Sequence, residues 1–185
     1  YVFVGTFIGG GLVLAGHIMG GERGNAGAIG SLPVGLASPH AAPGAGMPPQ
    51  LLQQASGWQL EQALLSAGHD PLLKHQPAIM DAAYAPLTGP WIEQASQALA
   101  MTVASAAALL DLDAVVIDGS FSRSMLQRLI EETGQALRRY NWEGLWPAKV
   151  IAGSIGSDAR ALGGALLPLH ENFAPDRDLF LKVTA

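Results

Sequence analysis

The first 34 residues constrain the fold more than any other stretch. Tyr1-Val2-Phe3-Val4 is a short run of aromatic and β-branched residues, and Gly5-Thr6-Phe7-Ile8-Gly9-Gly10-Gly11 follows it directly. A second apolar run, Leu12-Val13-Leu14, leads through a turn at Gly16 to the loop Gly24-Asn25-Ala26-Gly27-Ala28-Ile29-Gly30. Aromatic and β-branched residues suit a pleated, half-buried strand. Glycines between such runs let the chain turn tightly and leave bare backbone N–H groups at the turn, which is how a fold builds a phosphate cradle. The segment reads as a β-hairpin or meander with a ligand-facing turn.

A rival reading is a membrane span, because Tyr1 to Gly21 carries no formal charge and Gly5-x-x-x-Gly9 mimics a helix-dimer motif. Seven glycines lie within those 21 residues, however, three of them adjacent. A helix loses roughly 1 kcal/mol at each glycine relative to alanine. No basic flank marks a signal peptide. The run is therefore assigned to strands and turns, and no membrane partner is expected.

Apolar residues make up 49% of the 185-residue chain and charged residues 14%, enough for a sizeable core and too apolar for disorder. The net charge is −5 and the ten Lys and Arg are scattered, so the chain has no electrostatic footprint for nucleic acid. With no Cys there is neither a disulfide nor a thiolate metal site, in keeping with a cytoplasmic protein. The first residue is not Met, and the chain is expected to be a fragment that starts within a buried strand.

Further along, Leu32 to Pro49 is rich in Pro and Gly and reads as a loop. Helical spacing predicts one helix over Leu51 to Ala67, stopped by Gly68. A Pro-rich linker follows, with a short helix around Ala78 to Tyr84. A long Ala-rich helix is predicted from Pro90 to Leu110, with Pro90 in its first turn. Ala114 to Ile117 and Lys149 to Ala152 read as buried strands, and helices are expected over Arg123 to Tyr140 and Asp158 to Leu167. Alternation of strands and helices implies an α/β sheet whose ligands bind outside the carboxyl ends of the strands. That edge gathers three glycine turns: Gly5-Thr6, Asp118-Gly119 and Gly153-Ser154.

The run Gly5 to Gly11, followed by a strand and then Gly24-Asn25-Ala26-Gly27, resembles the ROK family of repressors, open reading frames and sugar kinases. The family pattern is close to Gly-Thr-Gly-Ile-Gly-Gly-Gly and then Gly-Asn-Ala-Gly-Glu-Ile-Gly-His. The likeness is strong over residues 1–34, and weaker at Val115 to Gly119 and Gly153 to Gly164. It implies an actin-like ATPase (ribonuclease H-like) lobe, with a mixed sheet and helices on both faces. Residues 1–185 are then a C-terminal lobe, with the other lobe, the catalytic Asp and any helix-turn-helix upstream of Tyr1.

By that resemblance Gly5, Thr6, Gly9, Gly10 and Gly11 face ATP phosphates in a kinase, and Asn25 and Gly27 belong to the sugar-facing motif. The departures are large. The family's sugar-binding Glu falls at Ala28, its sugar- and zinc-contacting His at Ser31, and a later sugar-contacting Glu near Leu52. The Cys-rich zinc knuckle would fall in Leu36 to Leu52, which has no Cys, so zinc is not expected. A site that loses a matched polar group alters its discrimination by orders of magnitude.

The glycine run is thus either a phosphate loop or a hairpin kept for its backbone geometry. Asp118 either positions a ligand or, more simply, caps the following helix or turn, and Ser154 and Ser157 read as caps. His17 and His40 are taken as packed or solvated residues; the four Trp either line a sugar or partner surface or serve packing, which their spacing fits at least as well. Glu131-Glu132 and Arg138-Arg139 read as a solvated, charge-paired helix face. The expected function is the effector-sensing and oligomerisation lobe of a sugar-responsive ROK-type transcriptional regulator. No catalytic residue is assigned in this chain. Its partners would be a sugar or sugar-derivative effector, a second copy of itself, and DNA only through an absent N-terminal domain. The alternative is a fragment of an ATP-dependent sugar kinase, and a third reading is a pseudo-enzyme serving only assembly.

Overall fold

The computed structural model describes residues 1–38 and 46–173. Its strands are β1 (Val2–Val4), β2 (Ile8–Gly10), β3 (Leu12–Leu14), β4 (His17–Met19), β5 (Ala114–Gly119) and β6 (Lys149–Ala152). Its helices are α1 (Leu51–Ala55), α2 (Gly57–Ser66), α3 (Ala85–Leu110), α4 (Arg123–Leu137) and α5 (Ala159–Phe173). The fold is α/β, as the alternation predicts. Four strands form one sheet in the order β2-β1-β5-β6, while β3 and β4 pair separately. β1 runs antiparallel to β2 and parallel to β5, and β5 runs parallel to β6, so the sheet is mixed.

The register shows how the sequence draws this sheet. Val4 lies opposite Ile8, so Gly5-Thr6-Phe7 is the whole β1–β2 connection. Beyond the strand ends the ladder continues, with Tyr1 N donating to Gly11 O at 2.9 Å and Gly11 N to Tyr1 O at 3.0 Å. Val4 also lies opposite Gly119 in β5, and Ile117 opposite Ala152 in β6. The carboxyl ends of the three parallel strands therefore lie along one edge.

The predicted helix over Leu51 to Ala67 is two helices. Ser56 adopts an extended conformation (ψ 146°) between α1 and α2. The break is stitched from both sides: Trp91 Nε1 donates to Ser56 O at 3.0 Å, and Gly57 N donates to Gly5 O at 2.7 Å. A Cβ at Gly57 would lie 2.7 Å from Gly5 O, so only glycine lets α2 begin directly beneath the turn after β1. Tertiary packing has overridden a local helical pattern here.

α3 starts at Ala85, a turn and a half before the predicted Pro90. Pro86 takes the first-turn position, where its missing N–H costs nothing. Pro90 lies inside the helix and leaves the Pro86 carbonyl without its usual donor. β5 carries on through Asp118 and Gly119, where the glycine pattern predicts a turn, and α5 reaches Phe173 rather than Leu167. Pro39 to Gly44, with His40, fall outside the described residues.

One core joins the sheet to α1–α4 through buried Val4, Leu60, Leu99, Ile117, Met125 and Leu129. Trp91 packs edge-on against Phe121, with ring centroids 5.8 Å apart. Trp142 is partly buried, but Trp58 and Trp146 are exposed, so packing accounts for only two of the four Trp. Among the described residues no helix is long and apolar enough to cross a membrane.

Two glycine substitutions test this packing in opposite directions. Gly57→Ala should lower stability by about 1–3 kcal/mol through overpacking against Gly5. Gly134→Ala, in α4 with nothing within 4 Å of the added carbon, should raise it by up to about 1 kcal/mol. Thermal melts of the two variants measure both; equal effects would remove the special role of Gly57.

Candidate functional site

The three glycine turns meet as expected. Ser120 N donates to Val4 O at 3.0 Å, and Gly153 N donates to Ile117 O at 2.8 Å, tying the turns after β1, β5 and β6 together. Asp118, fully buried at the end of β5, is the centre of the edge. Its Oδ1 accepts from Gly119 N at 2.8 Å and from Arg123 Nη1 at 3.2 Å. Its Oδ2 accepts from Gly156 N at 2.8 Å, Ile155 N at 3.1 Å and the Tyr1 hydroxyl at 3.2 Å. Arg123 Nη1 reaches on to Gly153 O at 2.7 Å.

Of the expectation that Asp118 caps the following helix or turn, these contacts exclude the following helix. α4 is capped instead by Ser122, whose Oγ accepts from Met125 N at 3.3 Å. Asp118 caps the 3₁₀ turn Gly156–Asp158 that leads into α5, an element almost forty residues downstream. Ser154 and Ser157 make no cap bond there, because the buried carboxylate already takes the free N–H groups. Burial pushes the Asp118 carboxyl up, but the Gly156 and Gly119 N–H groups, the Tyr1 hydroxyl and the Arg123 charge outweigh it and hold the carboxyl below its ordinary value. The Tyr1 hydroxyl is pushed up to about 12 by burial, then by the Asp118 charge and the bond to it, against a smaller opposing effect of Arg123.

A cleft of about 580 Å³ opens in front of this edge. Gly5, Thr6 and Gly9 to Gly11 line one wall, and Ala159, Arg160 and Gly163 at the start of α5 line the other. Phe7, 70% exposed, and Ile18 from the β3–β4 hairpin add apolar surface. The five residues expected to face phosphates therefore do share one cavity. A second, apolar cavity of about 310 Å³ lies on the far side of Gly11, between the sheet and α3.

The residues expected to face a sugar are placed differently. Gly27 lines the apolar cavity, not the cleft. It has φ +92°, and a Cβ would sit 2.5 Å from Gly10 O, so its glycine is needed for close backbone approach to β2. Asn25 is exposed and lines neither cavity. Ala28 and Ser31 are exposed at the ends of a single 3₁₀ turn, and Leu52 packs against the core. Among the described residues no group of three or more His, Cys, Asp or Glu is placed to hold a metal ion.

Sequence reasoning missed the support behind the glycine turn. Thr6 Oγ1 donates to Glu61 Oε1 at 2.8 Å, and the same oxygen is ion-paired with Lys74. The Lys74 side chain is 5% exposed, and its backbone carbonyl accepts from Ser122 N at 2.8 Å. Lys74 thus joins the turn after β1 to the cap of α4. The available signal was a lysine directly after Leu72-Leu73, between the prolines at 71 and 77, in a stretch read only as linker. On α4, Glu131 and Glu132 pair with Arg128 rather than with Arg138 or Arg139.

The ROK family model matches residues 1–171. The chain belongs to the ROK family. Its fold is similar to that of a ROK hexokinase from Thermus thermophilus (TM-score 0.62, 30% identity, 90% of this chain and 56% of that one). It is also similar to a ROK family protein from Streptococcus pneumoniae solved with sucrose (TM-score 0.67, 24% identity, 92% and 57%). A ROK family transcriptional regulator homologous to the Escherichia coli MLC protein matches as well (TM-score 0.59, 19% identity, 89% and 44%). The chain spans little more than half the length of the first two and less than half of the third. No curated protein sequence matches it.

Asp118→Asn should destabilise the fold by about 3 kcal/mol, since a buried carboxylate serving several donors is replaced by a group that is itself half donor. Because the folded carboxyl is held below its ordinary value, its contribution is present near neutral pH and is lost as pH falls through about 4 and below. Denaturant melts from pH 7 to pH 3 should therefore show a steeper acid loss in the parent protein than in the Asn variant. Parallel pH curves would remove Asp118 from this role.

Proposed function

We propose that this chain is the C-terminal lobe of a ROK-type, sugar-responsive transcriptional regulator, acting in effector sensing and self-association. The finer fold assignment is an actin-like ATPase (ribonuclease H-like) lobe with helices on both sheet faces, one of two lobes that close on a ligand. The observation that carries the reading is the wall of the glycine cleft. It consists of backbone, apolar side chains, the hydroxyl-bearing Tyr1 and Thr6, and the cationic side chain of Arg160. Such a wall suits holding a ligand between moving lobes and offers no side chain to activate a sugar hydroxyl. The exposed Ala28 and Ser31, where the family pattern has a carboxylate and an imidazole, add support.

In this reading Asn25 contacts the effector, Gly27 supports it through the backbone, and effector binding shifts the balance between two lobe arrangements. A DNA-binding domain outside this chain reads out the change, and two copies associate through this lobe in the cytoplasm. The 30% identity to a hexokinase favours a second reading, a lobe of an ATP-dependent sugar kinase with a divergent sugar site. There the turn Gly5 to Gly11 would face the ATP phosphates, and the general base would come from the other lobe.

The two readings separate in one assay on the full-length protein that carries this lobe. A panel of sugars is screened by thermal shift, and each sugar is then tested for ADP formation with ATP. The regulator reading expects a rise of a few degrees with at least one sugar or sugar derivative and no sugar-dependent ADP. Sugar-dependent ADP formation would overturn it.

A further inference from the structure

Thr6 stands in the cleft wall beside the glycines that are expected to meet phosphate oxygens. A threonine hydroxyl has one proton to give. In this structure that proton is donated away from the cleft, to Glu61 Oε1 at 2.8 Å. Glu61 is not free to release it, because its ion pair with the buried Lys74 fixes the carboxylate oxygen in place. Lys74 is fixed in turn by its place against the cap of α4, and Gly57 N holds Gly5 O at 2.7 Å beside it. The turn is therefore clamped twice on its inner side, once through the backbone and once through the only hydroxyl it offers.

We propose that Glu61, held by Lys74, is a positioning residue that makes Thr6 a hydrogen-bond acceptor toward the cleft and so selects a neutral, hydroxyl-bearing ligand over a phosphate. With its proton committed, Thr6 Oγ1 presents lone pairs only. Lone pairs accept from a sugar hydroxyl or a water and repel a phosphate oxygen. Arg160 on the opposite wall is exposed and makes no hydrogen bond among the described residues, so it supplies a general positive field, not a donor at the turn. The proposal deepens the ligand-sensing reading of this cleft and rests on it.

The test uses pyrophosphate, an anion without base or sugar, titrated by calorimetry into the full-length protein and three variants. In Glu61→Gln the new amide can donate to Thr6 Oγ1, which frees the hydroxyl proton for the cleft. This variant should bind pyrophosphate roughly tenfold more tightly than the parent, the size expected for one hydrogen bond to a charged group. Thr6→Val alone should change the affinity by less than about twofold, and Thr6→Val with Glu61→Gln should cancel the gain. That coupling separates a freed hydroxyl from a change in charge alone, which would persist without Thr6. Cooperative melting checks that each variant folds; if Glu61→Gln does not, Glu61→Asp keeps the charge, draws back from Thr6 and should shift affinity in the same direction. No gain on changing Glu61, a gain that survives Thr6→Val, or no pyrophosphate binding by any variant would each overturn the proposal. The sugar-induced thermal shift is read on the same proteins, so failure of the sensing reading is seen separately.

Discussion

The Asp118 carboxylate organises the strand edge on which the cleft is built. It closes five hydrogen bonds from β5, α4, Tyr1 and the turn into α5, and none of its surface reaches water. A buried anion is stable only when its donors surround it, so the position of each donor is fixed by the same requirement. That requirement locks the β6–α5 turn against the end of β5, and with it the helix that forms one wall of the cleft. The opposite wall hangs from β1, whose place is set by its parallel register with β5. Both walls are therefore referred to one strand.

This arrangement gives the glycine turn two faces with different chemistry. Its outer face opens to the cleft and is largely backbone. Its inner face is tied to α2 by Gly57 and to the Glu61–Lys74 pair through Thr6. A turn held this way is preorganised, so a ligand entering the cleft meets groups whose ordering cost has already been met in folding. The clamp also limits what the turn can offer, because side-chain donors used for holding are unavailable for binding.

Much of the fold was legible from local pattern. The strands around Val4, Ile117 and Val150 announce themselves as short apolar runs bounded by glycine, and their carboxyl ends lie where an α/β sheet requires. The errors at Ser56 and Asp118 share one cause, contacts made far along the chain. The break at Ser56 comes from Gly5 and Trp91, and the capping of the turn before α5 comes from Asp118. Neither interaction leaves a periodicity within its own segment. Glu61 and Lys74 were invisible for the same reason: one sits in an ordinary helix and the other in a Pro-rich linker, and only the fold makes them a pair. The cleft residues Gly5 to Gly11 could be found because they are contiguous, whereas Arg160 and Arg123 come from elements more than a hundred residues away.

The glycines themselves carry less functional information than their density suggests. Gly57 and Gly27 are demanded by packing, since a Cβ at either would press into the backbone of Gly5 or Gly10. Those contacts exist whether or not a nucleotide ever binds; within the glycine turn itself Gly10 is held in the same way, by Ile29 and the Tyr1 carbonyl, whereas Gly9 and Gly11 have open space around them. Side chains are under no such constraint. Ala28 and Ser31 are exposed, lie outside the core, and can change without disturbing the sheet. Membership of the ROK family is accordingly written in the backbone-bearing positions, and the chemistry of an individual member is written in the few side chains that face its cavities. In this chain those include Thr6, with Glu61 behind it, and Arg160.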